Sequence, residues 1–148
     1  MSATDCIFCA IVDNRAPGSV FFEDDLCVAF MDIGPVNPGH VLVVPRLHAA
    51  GLADLPEEIG MHLFRVAQRT AAAIRRTGIV CEGINLFLAD GEAAFQDVFH
   101  VHLHVIPRFV GDQFKISADW SQHPPRRELD ALAAAISDAY EQTWPAGE

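Results

Sequence analysis

Three histidines, His100, His102 and His104, alternate with Val101, Leu103 and Val105. A β-strand turns successive side chains to opposite faces, so this pattern puts three imidazoles on one side and three apolar groups on the other. The apolar side can bury against a helix. The imidazole side is then expected to line a polar cleft, because three unpartnered rings in a dry core would be costly. Two chemistries fit. An H-x-H pair on a strand can hold zinc, and an imidazole can act at phosphorus as a nucleophile. Same-face neighbours on a strand lie ~6.6 Å apart, which separates the outer rings by ~13 Å. One ion cannot be held by all three without distortion, so the rings are expected to do different jobs.

Cys6 and Cys9 form a C-x-x-C pair. A redox pair of this kind needs a preceding strand and a following helix. Only five residues precede Cys6, which disfavours that reading. A zinc knuckle needs two further ligands, for which His48 and His100 are candidates. Cys27 and Cys81 lie in apolar stretches and read as core thiols. His62 and His123 read as surface residues. Phe30 and Ile33 flank Asp32, and Ile7, Phe8 and Ile11 are apolar. The plain reading of these is core plus one exposed acid.

The elements that must position these groups are readable from periodicity and breakers. Residues 19–22 and 26–31 read as strands joined by an acidic turn. Residues 34–39 carry Gly, Pro, Asn, Pro and Gly and form a loop. His40 to Val44 reads as a buried strand stopped by Pro45. A capping-box pattern at Asp54 and Glu57 opens a helix of roughly 20 residues that ends near Gly78. Strands follow at 84–88 and 98–107, with the loop 89–97 between them, and an alanine-rich helix covers 126–140. Strands and helices do not alternate strictly, which points to an α+β fold with an antiparallel sheet.

The 148 residues suit a single domain. A hydrophobic fraction of 51% supplies a core, and a formal charge of −10 argues against a nucleic-acid or anionic-membrane surface. A small anionic ligand is not excluded, because it responds to local donors. No stretch reads as a signal peptide or membrane span, so a cytoplasmic protein with reduced cysteines is expected.

The segment from His100 to Ile106, followed by Pro107-Arg108, resembles the signature of the HIT (histidine triad) family. The likeness extends to Cys6-Ile7-Phe8-Cys9, Phe22-Glu23-Asp24, Ala29 to Ile33, Pro38-Gly39-His40, Val44-Pro45-Arg46 with His48, and Gln96 with Val98. It covers about residues 5–115, leaving 116–148 as a helical extension of one HIT domain. The resemblance implies a HIT-like fold, with about five antiparallel strands, one long helix and a C-terminal helix. It implies that His102 attacks the α-phosphorus of a purine nucleotide, with His104, His40 and Gln96 in the catalytic group. Ile7, Phe8, Ile11, Phe30, Asp32, Ile33, Gln96 and Asp97, with His102 and His104, would bind the nucleotide. Phe8, Phe30 and Ile33 would hold the base, and Asp32 would take the ribose hydroxyls. Zinc-containing, Hint-like or Fhit-like members further imply a structural zinc on Cys6, Cys9, His48 and His100, with no catalytic cofactor. A homodimer, packed through the long helix and a sheet edge, is also implied.

The implied reaction is hydrolysis of nucleoside phosphoramidates or dinucleoside polyphosphates through a nucleotidyl-histidine intermediate. A nucleotide-binding regulatory module and a zinc-dependent hydrolase are the alternatives. Two positions depart from the family pattern. Ala89 stands where members carry an amide side chain, and Phe95 stands where many have glycine before the glutamine. Both bear on the identity of the substrate.

Overall fold

The computed structural model describes residues 5–145. The chain divides into two compact units, one ending at Phe114 and the other starting at Lys115.

In the first unit, α1 (Ile7–Val12) precedes strands β1 (Val20–Glu23), β2 (Cys27–Met31) and β3 (Val41–Pro45). Helix α2 (Glu57–Ile74) follows, then β4 (Gly83–Phe87) and β5 (Leu103–Arg108). The five strands form one sheet in the order β1-β2-β3-β5-β4. All pairings are antiparallel. Strand β5 therefore sits inside the sheet, between β3 and β4, where register is fixed on both sides. Leu42 and Phe87 both pair with His104, and Phe30 pairs with Leu42. That row of four side chains crosses one face of the sheet.

Each face has its own core. Val101, Leu103 and Val105 join Val41, Val43 and the buried residues Leu63, Val66, Ala67 and Ile74 of α2. Burial of a stripe at helical spacing is what seats α2 here. On the opposite face, Phe8, Cys9 and Val12 of α1 pack with Val28, Phe30, Leu42 and Val44. Helix α1 was not legible in the sequence. It has only six residues, three of them β-branched, and little intrinsic helix preference. Packing against the sheet decides it. Asn14 in the left-handed region ends it, with the amides of Arg15 and Ala16 both donating to the Ala10 carbonyl.

Helix α2 begins after Pro56, two residues later than the capping pattern implied. Asp54 instead closes a short 3-10 turn, Leu52–Asp54, by accepting from the Gly51 amide. At the other end, the Thr77 hydroxyl donates to the Ile74 carbonyl. Thr77 thus satisfies the helix end before Gly78 is reached. The strand expected over 98–107 starts only at Leu103. The His100 amide turns back onto the Val98 carbonyl, and the Val101 amide bonds to Ala49.

In the second unit, α3 (Arg126–Thr143) runs for 18 residues and ends with Tyr140 and Trp144 in ring contact at 5.1 Å. Among the described residues, no helix is long and apolar enough to cross a membrane.

Candidate active site and metal centre

The alternation read from the sequence survives although strand geometry covers only part of it. The His100, His102 and His104 rings share the α1 face. Ring centroids of His102 and His104 lie 4.9 Å apart, and the Phe8 ring meets His102 edge-on at 5.1 Å. The face is drier than a polar cleft. Phe8 covers it, leaving His100 fully buried and His102 only 2% exposed.

Hydrogen bonding fixes which nitrogen of each ring carries a proton. A neutral imidazole has one N–H and one lone pair, and a carbonyl can only accept. His102 Nδ1 lies 2.7 Å from the carbonyl of His100, so it holds the proton and leaves a lone pair on Nε2. His100 Nε2 lies 2.8 Å from the Pro45 carbonyl, which leaves its lone pair on Nδ1. His100 and His102 therefore present opposite nitrogens to their surroundings.

The lone pair of His100 points at two thiols. Its Nδ1 is 3.5 Å from Cys6 Sγ and 3.4 Å from Cys9 Sγ, and His48 Nδ1 is 3.3 Å from Cys9 Sγ. All four ligand atoms lie within 4.8 Å of one another. Tetrahedral zinc with ordinary bond lengths separates sulfur from nitrogen by roughly 3.6 Å, close to these contacts. The donor set also suits a thiophilic ion. Burial, then the neighbouring Cys6, pushes the Cys9 thiol up to about 11. A bound cation would reverse that tendency. The four residues fit a structural metal.

Asp24, Cys27 and His62 form another group of ligand-type side chains. Here Asp24 Oδ1 accepts the amides of Leu26 and Cys27, and Oδ2 meets His62 Nε2 at 2.6 Å. Both oxygens are thereby engaged, and His62, expected on the surface, ties α2 to the β1–β2 turn. The two turn amides and the His62 contact outweigh burial and hold the Asp24 carboxyl down at about 2.

Asp32, His40 and His104 come together beside His102. His40 Nε2 is 2.8 Å from His104 Nδ1 and 3.4 Å from Asp32 Oδ2. Burial is the main reason both rings are held neutral. It lowers His40, and together with His102 and His40 it brings His104 down to about 4. An ion here would need a lone pair on His40 Nε2. The Val36 amide donates to His40 Nδ1 at 3.0 Å, so the only lone pair of the neutral ring is already committed.

The loop carrying His40 is built to hold it. Gly39 has φ +88°, and a Cβ there would lie 3.0 Å from two carbons of Ile79 and 3.2 Å from Pro107. Only glycine suits that turn. The Asn37 amide donates to the Pro107 carbonyl and to Asp112 Oδ2, both at 2.8 Å. Arg108 grips both oxygens of Asp112 and holds that carboxyl far below the usual range.

The remaining sequence candidates are distributed unevenly. Asp97 is largely exposed, with Oδ1 3.7 Å from His102 Nε2 at the mouth of the site. Gln96 is buried and faces inward. Its amide donates to Ala50 and Val98, and its oxygen accepts from Gly91. It pins the 89–97 loop. Phe8 and Phe30 are buried and touch edge to face at 5.6 Å, with Ile11 packed against the same core. Ile7 and Ile33 are exposed. Asp32 is mostly buried, and its Oδ1 accepts from the Gly34 amide. Ala89 is buried, while Phe95 is exposed in a left-handed backbone conformation. The Val36 amide is a contact of this group that the sequence does not reveal, because it belongs to the backbone.

The HIT domain family matches residues 13–111. A HIT family protein from Bacillus anthracis is 36% identical, with TM-score 0.86, and the match covers 93% of this chain and 99% of that one. A zinc-bound histidine triad family protein from Mycobacterium smegmatis is 39% identical, with TM-score 0.74 and the same coverage of both chains. An adenosine 5′-monophosphoramidase from Schizosaccharomyces pombe is 34% identical over 133 residues, covering 89% of this chain and 96% of that protein. Matched along most of its length by domain, sequence and fold, the chain belongs to the HIT (histidine triad) family.

Proposed function

We propose that the protein is a nucleotidyl hydrolase acting at the α-phosphate of purine nucleoside phosphoramidates or dinucleoside polyphosphates. The observation that carries this is the 2.7 Å contact from His102 Nδ1 to the His100 carbonyl, which leaves the Nε2 lone pair for attack. That lone pair forms a bond to the α-phosphorus as the bond to the leaving group breaks, and the leaving group takes up a proton from solvent, to which the water of the second step gives one back. Water then attacks the same phosphorus. The P–N bond breaks, nucleoside monophosphate departs, and Nε2 regains its lone pair. His104 stands beside the reacting centre as a hydrogen-bond donor to the phosphoryl oxygens. We read Asp32, beside the His40 and His104 rings, as the acceptor for the ribose hydroxyls. Ile7 and Ile33 offer exposed apolar contact for the base, over a floor of Phe8, Phe30 and Ile11. Asp97 faces the phosphate or leaving group, and Gln96 acts by holding the loop that presents it. The likeness to a phosphoramidase from fission yeast agrees with this substrate class.

We read Cys6, Cys9, His48 and His100 as ligands of a structural zinc. The ion would supply no chemistry to the reaction. It would tie α1 to the sheet and so fix the His100 carbonyl that orients His102.

Intact mass spectrometry of protein quenched during turnover of an adenosine phosphoramidate tests the reaction. One added adenylyl group is expected on the wild type and none on His102→Ala. Steady turnover with no trapped adduct, together with an active His102→Ala, would overturn the proposal.

The protein is further read as a cytoplasmic homodimer packed through α2 and the β4 edge. Met61 and Phe64 on α2 and Leu86 and Phe87 on β4 are exposed apolar side chains, and β4 ends the sheet. Such an edge pairs readily with a second copy. Sedimentation equilibrium should give twice the chain mass, and Leu86→Lys should shift it toward the monomer. A monomeric wild type at micromolar concentration would refute this arrangement.

A further inference from the structure

His40 is buried beside the triad, yet it has no atom free for a substrate. The Val36 amide fills its Nδ1, so its proton sits on Nε2. Two acceptors face that proton: His104 Nδ1 at 2.8 Å and Asp32 Oδ2 at 3.4 Å. The shorter contact places a donor against His104 Nδ1. His104 must therefore accept at Nδ1 and carry its own proton on Nε2. The chain of constraint runs from a backbone amide, through one neutral ring, to the free nitrogen of a second.

We propose that His40 is a positioning residue that locks His104 in its Nε2–H tautomer, so that His104 offers a donor to the phosphoryl group. This rests on the nucleotidyl-transfer reading above. In the other tautomer His104 would turn a lone pair toward anionic oxygen, which is repulsive where a donor is needed. A histidine in water exchanges between tautomers freely. Here the choice is made by a loop whose conformation depends on Gly39 and on the Asn37–Asp112–Arg108 contacts. Asp32 completes the arrangement. Its Oδ1 is tied to the Gly34 amide, and Oδ2 faces both rings, 3.9 Å from His104 Nδ1. That oxygen gives His40 a second acceptor of the same polarity and holds its Nε2–H toward the site.

Long-range proton–nitrogen NMR of the resting protein, labelled with 15N-histidine at neutral pH, reads the tautomers without substrate. Nδ1–H is expected on His102, and Nε2–H on His40 and His104. In His40→Ala, His104 should become a mixture of tautomers. Its kcat should fall about 10- to 100-fold, with KM changed by no more than about threefold, a little below the loss for removing a direct donor. His40→Gln, whose terminal amide reaches about as far as Nε2, should restore the Nε2–H tautomer of His104 and most of kcat. Val36→Pro, which deletes the governing amide and no site side chain, should release the His40 tautomer. Nδ1–H on His104 in the wild type would overturn the proposal, even if neither alanine nor proline variant folds. So would a His40→Ala protein that keeps both the Nε2–H tautomer and full kcat. A wild type that shows these tautomers but never cleaves nucleotides would instead defeat the nucleotidyl-transfer reading.

Discussion

His102→Ala is expected to abolish cleavage of an adenosine phosphoramidate, with kcat reduced by about 10⁴-fold or more, as when a covalent nucleophile is removed. The size follows from the division of roles at the site. The His102 Nε2 lone pair is fixed by the contact of Nδ1 with the His100 carbonyl. Among the neighbouring rings, His100 points its lone pair at Cys6 and Cys9, and that of His104 is met by His40. Neither can stand in. The fold should survive the substitution, because the apolar side of the segment, Val101, Leu103 and Val105, carries the packing against α2. A modest loss of contact with Phe8 is expected, on the order of 1–2 kcal/mol. The decisive comparison is single-turnover kinetics beside thermal denaturation. A folded His102→Ala protein that retains a tenth of wild-type kcat would show that the nucleophile lies elsewhere.

The second large effect concerns the metal. Cys6→Ala or Cys9→Ala should lower zinc content, measured by elemental analysis of the purified protein, from about one ion per chain to near zero. Thermal stability should fall with it, by about 3–5 kcal/mol and hence roughly 10 °C for a chain of this length. The loss is smaller than for a zinc finger because α2 and the sheet keep a core that needs no ion. What is at risk is α1, which has six residues and no intrinsic reason to be helical. Turnover should also fall, since His100 lends its ring to the thiols and its carbonyl to His102. Leu63→Ala is the control. It lowers stability through the α2 core and leaves zinc bound. A wild type that is purified without zinc and is unmoved by a strong chelator would end the zinc reading.

Much of the fold was legible because periodicity reports burial. Four of the five strands, α2 and α3 lie within about four residues of the bounds that periodicity marks, while β5 begins five residues later than expected. The errors came from packing that periodicity does not see. Helix α1 leaves no periodic signal because tertiary burial, and not propensity, folds it. The triad strand is shorter than its alternation implies because the His100 amide bonds to the Val98 carbonyl and the Val101 amide to the Ala49 carbonyl. His62 looks like a surface group in the sequence because its partner, Asp24, is 38 residues away.

The candidate site divides the same way. By its own alternation, the sequence determined that three imidazoles face one side and three apolar groups the other, and the alternation holds although only Leu103, His104 and Val105 of that segment lie in β5. The groups expected near them, such as His40 and Asp32, came from the resemblance to the HIT family and not from the alternation. Only the tertiary structure decided which nitrogen of each ring is free, since that is set by carbonyls and amides the sequence does not distinguish. The His100 carbonyl, the Pro45 carbonyl and the Val36 amide are ordinary backbone groups. They set the free nitrogen of His102, of His100 and of His40, and through the His40 ring that of His104, because only folding brings a donor or acceptor within about 3 Å of one particular nitrogen.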